Sequence, residues 1–466
     1  MKNKATLSTF SLVFLITGAI DSIRNLPAAA WFGSQLIFFF ILSAIIFLIP
    51  VALVSAELAT IWPDEEAGIY GWVKKAFGRS WAFITIWLQW VNTLVWYPTI
   101  LLFITSTLNF LFFQDSTISK LFSTVGSIII FWSMTFLALR GVHTSAKLAS
   151  ICAIIGMILP MFLIIVLGLI WLVLTHNSAI SFHLGALMPD ITHQSSWISL
   201  TAIMTAFLGM ELAAVHVRQI KHPQRTYPKA MLYSIILILI TMVLGSLAIA
   251  IVLPRQEINL VVGVLQTCAS FMQKYNLEFI MPCLVLLIFI GSIGSMVNWI
   301  IAPTQGLAQA AQDKFLPSWL ATKNSHGVPA KIIVTQAIIV TMFCLSFQLM
   351  PNINSMYWFF TDLSTELYMC MYVLMFLAAI QIKHKYATLT RPFAIPGQKF
   401  GYYLTCMLGL IGCIITLYIG FFPPQEALSL HHPELYKLYF LGGLIMMLAP
   451  ALLRLAGKKL VAQAGK

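Results

Sequence analysis

Apolar residues in this sequence come in long blocks, with polar and charged residues gathered into short clusters between them. A helix needs about 20 apolar residues to cross a hydrocarbon layer of about 30 Å, and only helices or closed barrels satisfy their backbone in lipid. Twelve blocks meet that need: 7–32, 35–61, 81–113, 122–139, 144–174, 197–217, 228–253, 278–303, 331–349, 354–381, 400–421 and 434–455. Between spans 2 and 3, the stretch E-E-A-G-I-Y-G-W-V-K-K-A-F-G is too short and too mixed to span. It reads as an amphipathic helix lying on the cytoplasmic surface. Residues 255–278 read as an external helical loop over the outer mouth.

Two of the twelve blocks are interrupted. Span 1 carries I-T-G-A-I-D-S-I-R-N-L-P at 16–27, where a continuous helix would bury Asp21 and Arg24 in hydrocarbon. Gly18 costs a helix about 1 kcal/mol relative to Ala, and Pro27 suits a helix start better than a helix middle. Each charge near a bilayer centre costs about 2.5–3.5 kcal/mol on insertion scales, so a protein interior or a watery cavity is its expected place. Two readings stand: a functional site at a helix break, or an Asp21–Arg24 pair that neutralises itself within the bundle. Span 6 repeats the anomaly in A-F-L-G-M-E-L-A-A-V-H, with Gly209, Glu211 and His216. A buried Glu without an adjacent cation can carry a proton near physiological pH, or it can be a permanently protonated structural residue.

Interrupted helices five spans apart are the pattern of two inverted five-helix repeats around a midplane site. The expected organisation is residues 1–174 for the first repeat and 197–381 for the second. Spans 11 and 12 (400–455) and a short cytoplasmic tail (456–466) follow. Span 8 holds Gly291, Gly294 and Ser295, which permit close helix approach, followed by Trp299. Span 10 holds Asp362 and Glu366, four residues apart on one helix face. Both are not expected to be ionised in hydrocarbon, unless they face water or a cation such as Arg24. Glu57 sits a turn inside the end of span 2, where pairing at the interface and a functional role are both open.

Composition agrees with the spans. Of 466 residues 60% are hydrophobic and 9% charged, against about 25% charged in soluble proteins. The 7 cysteines are scattered without paired spacing, so neither a disulfide framework nor a metal cluster is indicated. The first apolar block is too long and too polar inside for a cleavable signal peptide. The net charge of +12 suggests nucleic acid until its distribution is read. With the N-terminus cytoplasmic, outside loops hold only Lys120, Arg255, Lys274 and Lys437, and Arg24 lies within a span. The excess is therefore a topology signal that puts both termini inside, and no nucleic-acid partner is expected.

Several motifs carry a resemblance. G-x-E at 209–211, H-P-x-R-x-Y-P-x-A at 222–230 and L-P-x-x-E-I-N-L-x-x-G-V-x-Q-T at 253–267 resemble the amino acid–polyamine–organocation superfamily. With I-P-V-A-L-V-S-A-E-L-A-T at 49–60 and S-H-G-V-P at 325–329, the chain is most similar to bacterial glutamate/γ-aminobutyrate antiporters. The resemblance implies an all-α polytopic protein of the bacterial inner membrane, with a five-plus-five inverted-repeat (LeuT-like) core, broken helices 1 and 6 and two extra helices. It implies amino acids bound between the broken helices, on the backbones of Thr17, Gly18, Ala19 and Ile20 and of Ala206, Phe207, Leu208 and Gly209. Half-helix N-termini offer N–H groups to a carboxylate and half-helix C-termini offer carbonyls to an ammonium. It further implies Trp299 as an occluding aromatic, Tyr368 as a partner on span 10 and Glu211 as the span 6 glutamate.

The chain also departs from that subfamily. It ends about ten residues after span 12, whereas the antiporters carry a long plugging tail, so pH control by such a plug is not expected. A span 8 glutamate near Ser295 is missing, and Asp21, Arg24, Asp362 and Glu366 have no counterpart to be carried over. The expected function is secondary transport of amino acids by alternating access, as an antiporter; proton-coupled uptake and exchange of cationic amino acids or polyamines are the alternatives. Arg24 suits a substrate carboxylate, whereas Asp21, Glu211, Asp362 and Glu366 together suit a cation. No cofactor is expected. No H-E-x-x-H, G-x-S-x-G or phosphate-loop motif points to an enzyme.

Overall fold

The computed structural model describes residues 7–62, 68–113, 119–141, 152, 154–176, 178–190, 192, 194–348, 353–422 and 433–464. Twelve helices in it are long and apolar enough to cross a membrane. They are Thr9–Ala30, Gly33–Ile61, Arg79–Phe113, Lys120–Ala138, Ile155–Thr175, Ser196–Ala214, Pro223–Val252, Glu278–Gln312, Ala330–Gln348, Tyr357–Lys385, Gln398–Ile419 and Tyr436–Ala456, called spans 1 to 12 below. Each falls on one of the twelve apolar blocks. The start expected for span 5, from 144, lies largely outside the described residues. The amphipathic segment forms the helix Gly68–Phe77, and the loop between spans 7 and 8 contains the helix Gly263–Lys274.

Span 3 is the axis of the bundle and packs against spans 8 and 10. Span 1 lies against span 7, and span 11 against span 10. Spans 4, 9 and 12 turn most of their apolar surface outward, as lipid-facing helices do.

Spans 2 and 5 share a local irregularity. A π-helical turn at Ala44–Leu48 precedes Pro50, and another at Ile154–Ile158 precedes Pro160. Proline has no N–H for the carbonyl four residues back and collides with it, so a widened turn relieves both effects. Those carbonyls belong to Ile46 and Gly156, and in each case a glycine of another helix lies against the oxygen. A methyl group on Gly412 would come within 2.6 Å of the Ile46 oxygen, and one on Gly291 would run into the Gly156 backbone. Span 8 thus meets span 5 through Gly291 and Gly294, as the small residues of span 8 suggest.

The face where span 1 begins is tied by two ionic clusters. Glu57, fully buried, accepts a hydrogen bond from Arg391, another from the Ile395 N–H at 2.8 Å, and has Lys383 Nζ at 3.6 Å. Span 2 is thereby fastened to the end of span 10 and the chain leading to span 11. Asp313, just beyond span 8, accepts from Tyr70 and Lys74 at 2.5 Å each and has Arg79 at 3.9 Å. Partial burial pushes the Asp313 pKa up, but the hydrogen bonds from Lys74 and Tyr70 and the charges of Lys74 and Arg79 outweigh it and hold it below the usual 3.8. The amphipathic helix is therefore clamped to span 8. On the same face Leu7 pairs with Ile220, joining the start of span 1 to the end of the span 6 segment.

Candidate substrate site between the interrupted helices

Span 1 is helical over Thr9–Ile20, then extended at Asp21 and Ser22, then restarts through a short turn at Ile23–Asn25 into Leu26–Ala30. The last bond of the first half runs from the Asp21 N–H to the Thr17 carbonyl at 2.7 Å. The break therefore falls just after Thr17, Gly18, Ala19 and Ile20, which form the last helical turn, and not within them. Gly18 keeps an ordinary helical conformation, because a penalty of about 1 kcal/mol is too small to open a buried turn. Pro27 has no N–H for the Ile23 carbonyl, so the second half cannot run back through this point as an α-helix. What the first half presents is its C-terminal carbonyls, unsatisfied within the helix.

Span 6 breaks at the expected place. The helix Gln194–Ala206 ends in a turn over Phe207, Leu208 and Gly209, and Gly209 has φ +107°. A ten-residue 3-10 segment, Met210–Gln219, continues from there. Only glycine adopts that φ without strain. The side chain of His216 lies outside the described residues.

The two breaks meet at Trp299. Its indole Nε1 donates to the Ala19 carbonyl at 2.9 Å, and its six-membered ring covers the bare Cα of Gly209. Tyr368 lies 5.9 Å from it and Trp96 5.3 Å, centroid to centroid. Trp299 thus touches both halves of the site, at a carbonyl on one side and a glycine on the other.

Glu211 begins the second half of span 6 and is fully buried. Its carboxylate accepts from Gln89 at 3.0 Å and from Tyr368 on one oxygen, and from Tyr372 on the other. Tyr372 accepts in turn from the Gly209 N–H at 2.9 Å, which closes the loop back to the break. No Lys or Arg pairs with Glu211 among the described residues. The cluster therefore has hydroxyl and amide donors around one acid, suited to keeping or passing a proton without a fixed cation.

Asp21 and Arg24 do not pair. The helix break separates them: Asp21 turns to span 7, accepting from Thr241 at 2.6 Å, while Arg24 turns to span 3 and donates to Thr99 at 2.9 Å. The Arg24 guanidinium lies 5.0 Å over the Trp96 ring. Asp21 Oδ1 and Arg24 Nε are buried with no partner. The self-neutralising pair is thus replaced by two opposite charges with free valences at one break.

Asp362 and Glu366 face elsewhere. Asp362 accepts from Tyr436 of span 12 at 2.9 Å, and Glu366 packs against Gly420 at the end of span 11 with neither oxygen bonded. Neither forms an ion pair with Arg24, the cationic partner weighed for them, and the face they share lies at the interface between spans 10, 11 and 12. Trp96, one of the span 3 aromatics expected either to pack or to line a pocket, joins the site, and so do Gln89, Thr99, Thr241 and Tyr372, which had not been singled out for it. A lone Gln in the aromatic run of span 3, and a Tyr four residues from Tyr368, were signals present in the sequence for two of them. On the opposite face a cavity of about 390 Å³ opens among Trp31, Gln35, Ser196 and Arg255. Among the described residues no three His, Cys, Asp or Glu side chains gather as a metal would need.

The family model described as amino acid permease matches residues 7–446. The chain belongs to the amino acid permease family. It is a multi-pass membrane transporter and not an enzyme. The permease is 39% identical to an uncharacterised transporter of Legionella pneumophila over 95% of both chains. It is 29% identical to a glutamate/γ-aminobutyrate antiporter of Lactococcus lactis over 91% of this chain and 85% of that one. A probable agmatine/putrescine antiporter of Lactococcus lactis is 25% identical over 90% of this chain and 87% of that one. Twelve spans, interrupted helices 1 and 6 and two further helices at the end agree with the LeuT-like architecture of this superfamily.

Proposed function

We propose that this permease exchanges amino acids across a bacterial cytoplasmic membrane by alternating access, and that its substrates bear a carboxylate besides an ammonium group, as glutamate and γ-aminobutyrate do. The observation that carries this reading is the split of Asp21 and Arg24 across the break in span 1, each buried and each with an unbonded polar atom. A zwitterion answers both needs at once. Its ammonium suits Asp21 and the C-terminal carbonyls of 18–20, and a carboxylate suits Arg24. A dication of the agmatine or putrescine kind would leave Arg24 buried against like charge, which disfavours that alternative. The direction of Asp362 and Glu366 toward spans 11 and 12 removes two of the acids that argued for a cation.

In this reading residues 1–174 and 197–381 are the two inverted repeats, and 400–455 and 456–466 are accessory. Both termini are cytoplasmic, following the Lys and Arg distribution. Thr17, Gly18, Ala19, Ile20, Ala206, Phe207, Leu208 and Gly209 supply backbone groups, Trp299 occludes the substrate, and Tyr368 orients Glu211. Proton-coupled uptake is the second reading, favoured by the ring of donors around Glu211. Counterflow in proteoliposomes with a panel of amino acids and amines, with and without a proton gradient, tests both. Glutamate and γ-aminobutyrate should drive uptake without a gradient. Uptake driven only by amines would overturn the substrate assignment, and strict dependence on the gradient would favour proton coupling.

A further inference from the structure

Trp96 has two ring partners that belong to different parts of the site. One face lies 5.0 Å from the Arg24 guanidinium, and 5.3 Å away is Trp299, tilted 33° from it. Trp299 in turn holds the Ala19 carbonyl and covers Gly209. Thr99, three residues further along span 3, accepts from Arg24 Nη1 and donates to the Trp96 carbonyl at 2.8 Å. Trp96 and Thr99 together therefore fix both the plane and the rotation of the guanidinium. With Nη1 engaged, the edge carrying Nε is the one left without a partner. That edge of an Arg fork takes a carboxylate through two parallel N–H···O bonds, and only if the plane is held.

We propose that Trp96 is a positioning residue that confers preference for substrates with an anionic carboxylate three bonds from the ammonium-bearing carbon, the group that glutamate and γ-aminobutyrate share: it holds Arg24 edge-on to that group and packs the pair against the Trp299 ring. The proposal rests on the reading that Arg24 receives a substrate carboxylate. It assigns specificity to a residue of span 3 that touches the cation and the occluding ring, and needs no contact with substrate. A neutral isostere such as glutamine, offering an amide where glutamate offers a carboxylate, gains little from the orientation.

The test is exchange kinetics of glutamate and of glutamine in proteoliposomes for the wild type, Trp96→Leu and Trp96→Phe. Loss of the ring should raise KM for glutamate by about 5- to 30-fold, the range of a desolvated cation–π contact. KM for glutamine should rise at least about 3-fold less than KM for glutamate, because loosened packing on Trp299 acts on both substrates while cation–π orientation acts on the charged one only. Trp96→Phe keeps a π-face and should recover most of the glutamate affinity. Thr99→Val, which removes the hydroxyl and keeps the shape, should act in the same selective direction if Trp96→Leu fails to fold. Equal shifts for both substrates, or no rescue by Phe, would reduce Trp96 to a packing residue and overturn the proposal. A wild type that exchanges no anionic amino acid would overturn the substrate reading, and this inference with it.

Discussion

Gly209 is where the geometry of the site is most exposed to a single methyl group. Its φ of +107° lies where a residue with a Cβ is strained by about 1–3 kcal/mol. A Cβ at this position would also come 2.9 Å from Trp299 Cζ2 and 3.2 Å from Cη2, with Leu212 Cδ1 at 3.3 Å. The leucine tip can turn aside. The indole cannot retreat without stretching its 2.9 Å bond to the Ala19 carbonyl, a bond worth about 0.5–1.5 kcal/mol. Gly209→Ala should therefore destabilise the fold by about 2–4 kcal/mol, the sum of the backbone and packing parts. Unfolding titrations in mixed micelles would measure it, with binding of the substrate as a second readout. Trp299→Phe separates the parts, because the colliding atoms belong to the six-membered ring. In that background Gly209→Ala should cost only the backbone part, less by about 0.5–1.5 kcal/mol. An equal cost in both backgrounds would refute the contact, and no cost in either would refute the left-handed turn.

Glu211→Gln removes the titrating group while keeping its size, so the pH profile of flux in proteoliposomes should flatten; an unchanged profile would rule out a proton role for Glu211. Glu57→Gln leaves Arg391 and Lys383 without their anion and should cost about 3 kcal/mol by unfolding titration, given how buried the pair is; a change under about 0.5 kcal/mol would mark it as a surface-like bridge. Asp313→Asn should destabilise at neutral pH by about 1 kcal/mol or less, because Lys74 is partly exposed and screened. The folded pKa of Asp313 is depressed, so the bridge contributes fully above the usual 3.8 and is lost as pH falls through the lower folded value. The variant and wild type should therefore converge in acid, and a gap that widens there would contradict the sign.

Much of the architecture was legible because bilayer physics leaves few choices. An apolar block of helical length has one outcome, so the twelve spans could be placed from hydropathy. Gly209 marked its own break, since glycine before an acidic residue in an apolar helix has few other uses. The break in span 1 was legible only to within a turn. Gly18 drew attention to 17–20, yet the interruption came at Asp21 and Ser22, where no single residue is a strong breaker and Pro27 acts from several residues away. Side-chain direction was the least legible property. Asp21 and Arg24, three residues apart, left a functional break and a self-neutralising pair both open, and only the broken backbone sends them to spans 7 and 3. Asp362 and Glu366 were correctly placed on one face, but period alone does not say which neighbour that face meets.

The way the two charges diverge bears on how a transporter of this kind can move. Asp21 is bonded to span 7 and Arg24 to span 3, so the two halves of span 1 are anchored to different helices on either side of one extended dipeptide. The first half is also joined to the end of the span 6 segment through Leu7 and Ile220, and its last turn to span 8 through Ala19 and Trp299. A hinge at Asp21 and Ser22 would let the first half swing with the second half of span 6, while Arg24 stays with span 3. A bound zwitterion that touched both sides would then feel the hinge directly: its ammonium would travel with the Asp21 side and its carboxylate with the fixed Arg24 side. Such a substrate stabilises the state in which both ends are satisfied, by its differential affinity for that state over the other. An amine without a carboxylate would engage only the moving half, and would have no purchase on Arg24 with which to bias the equilibrium.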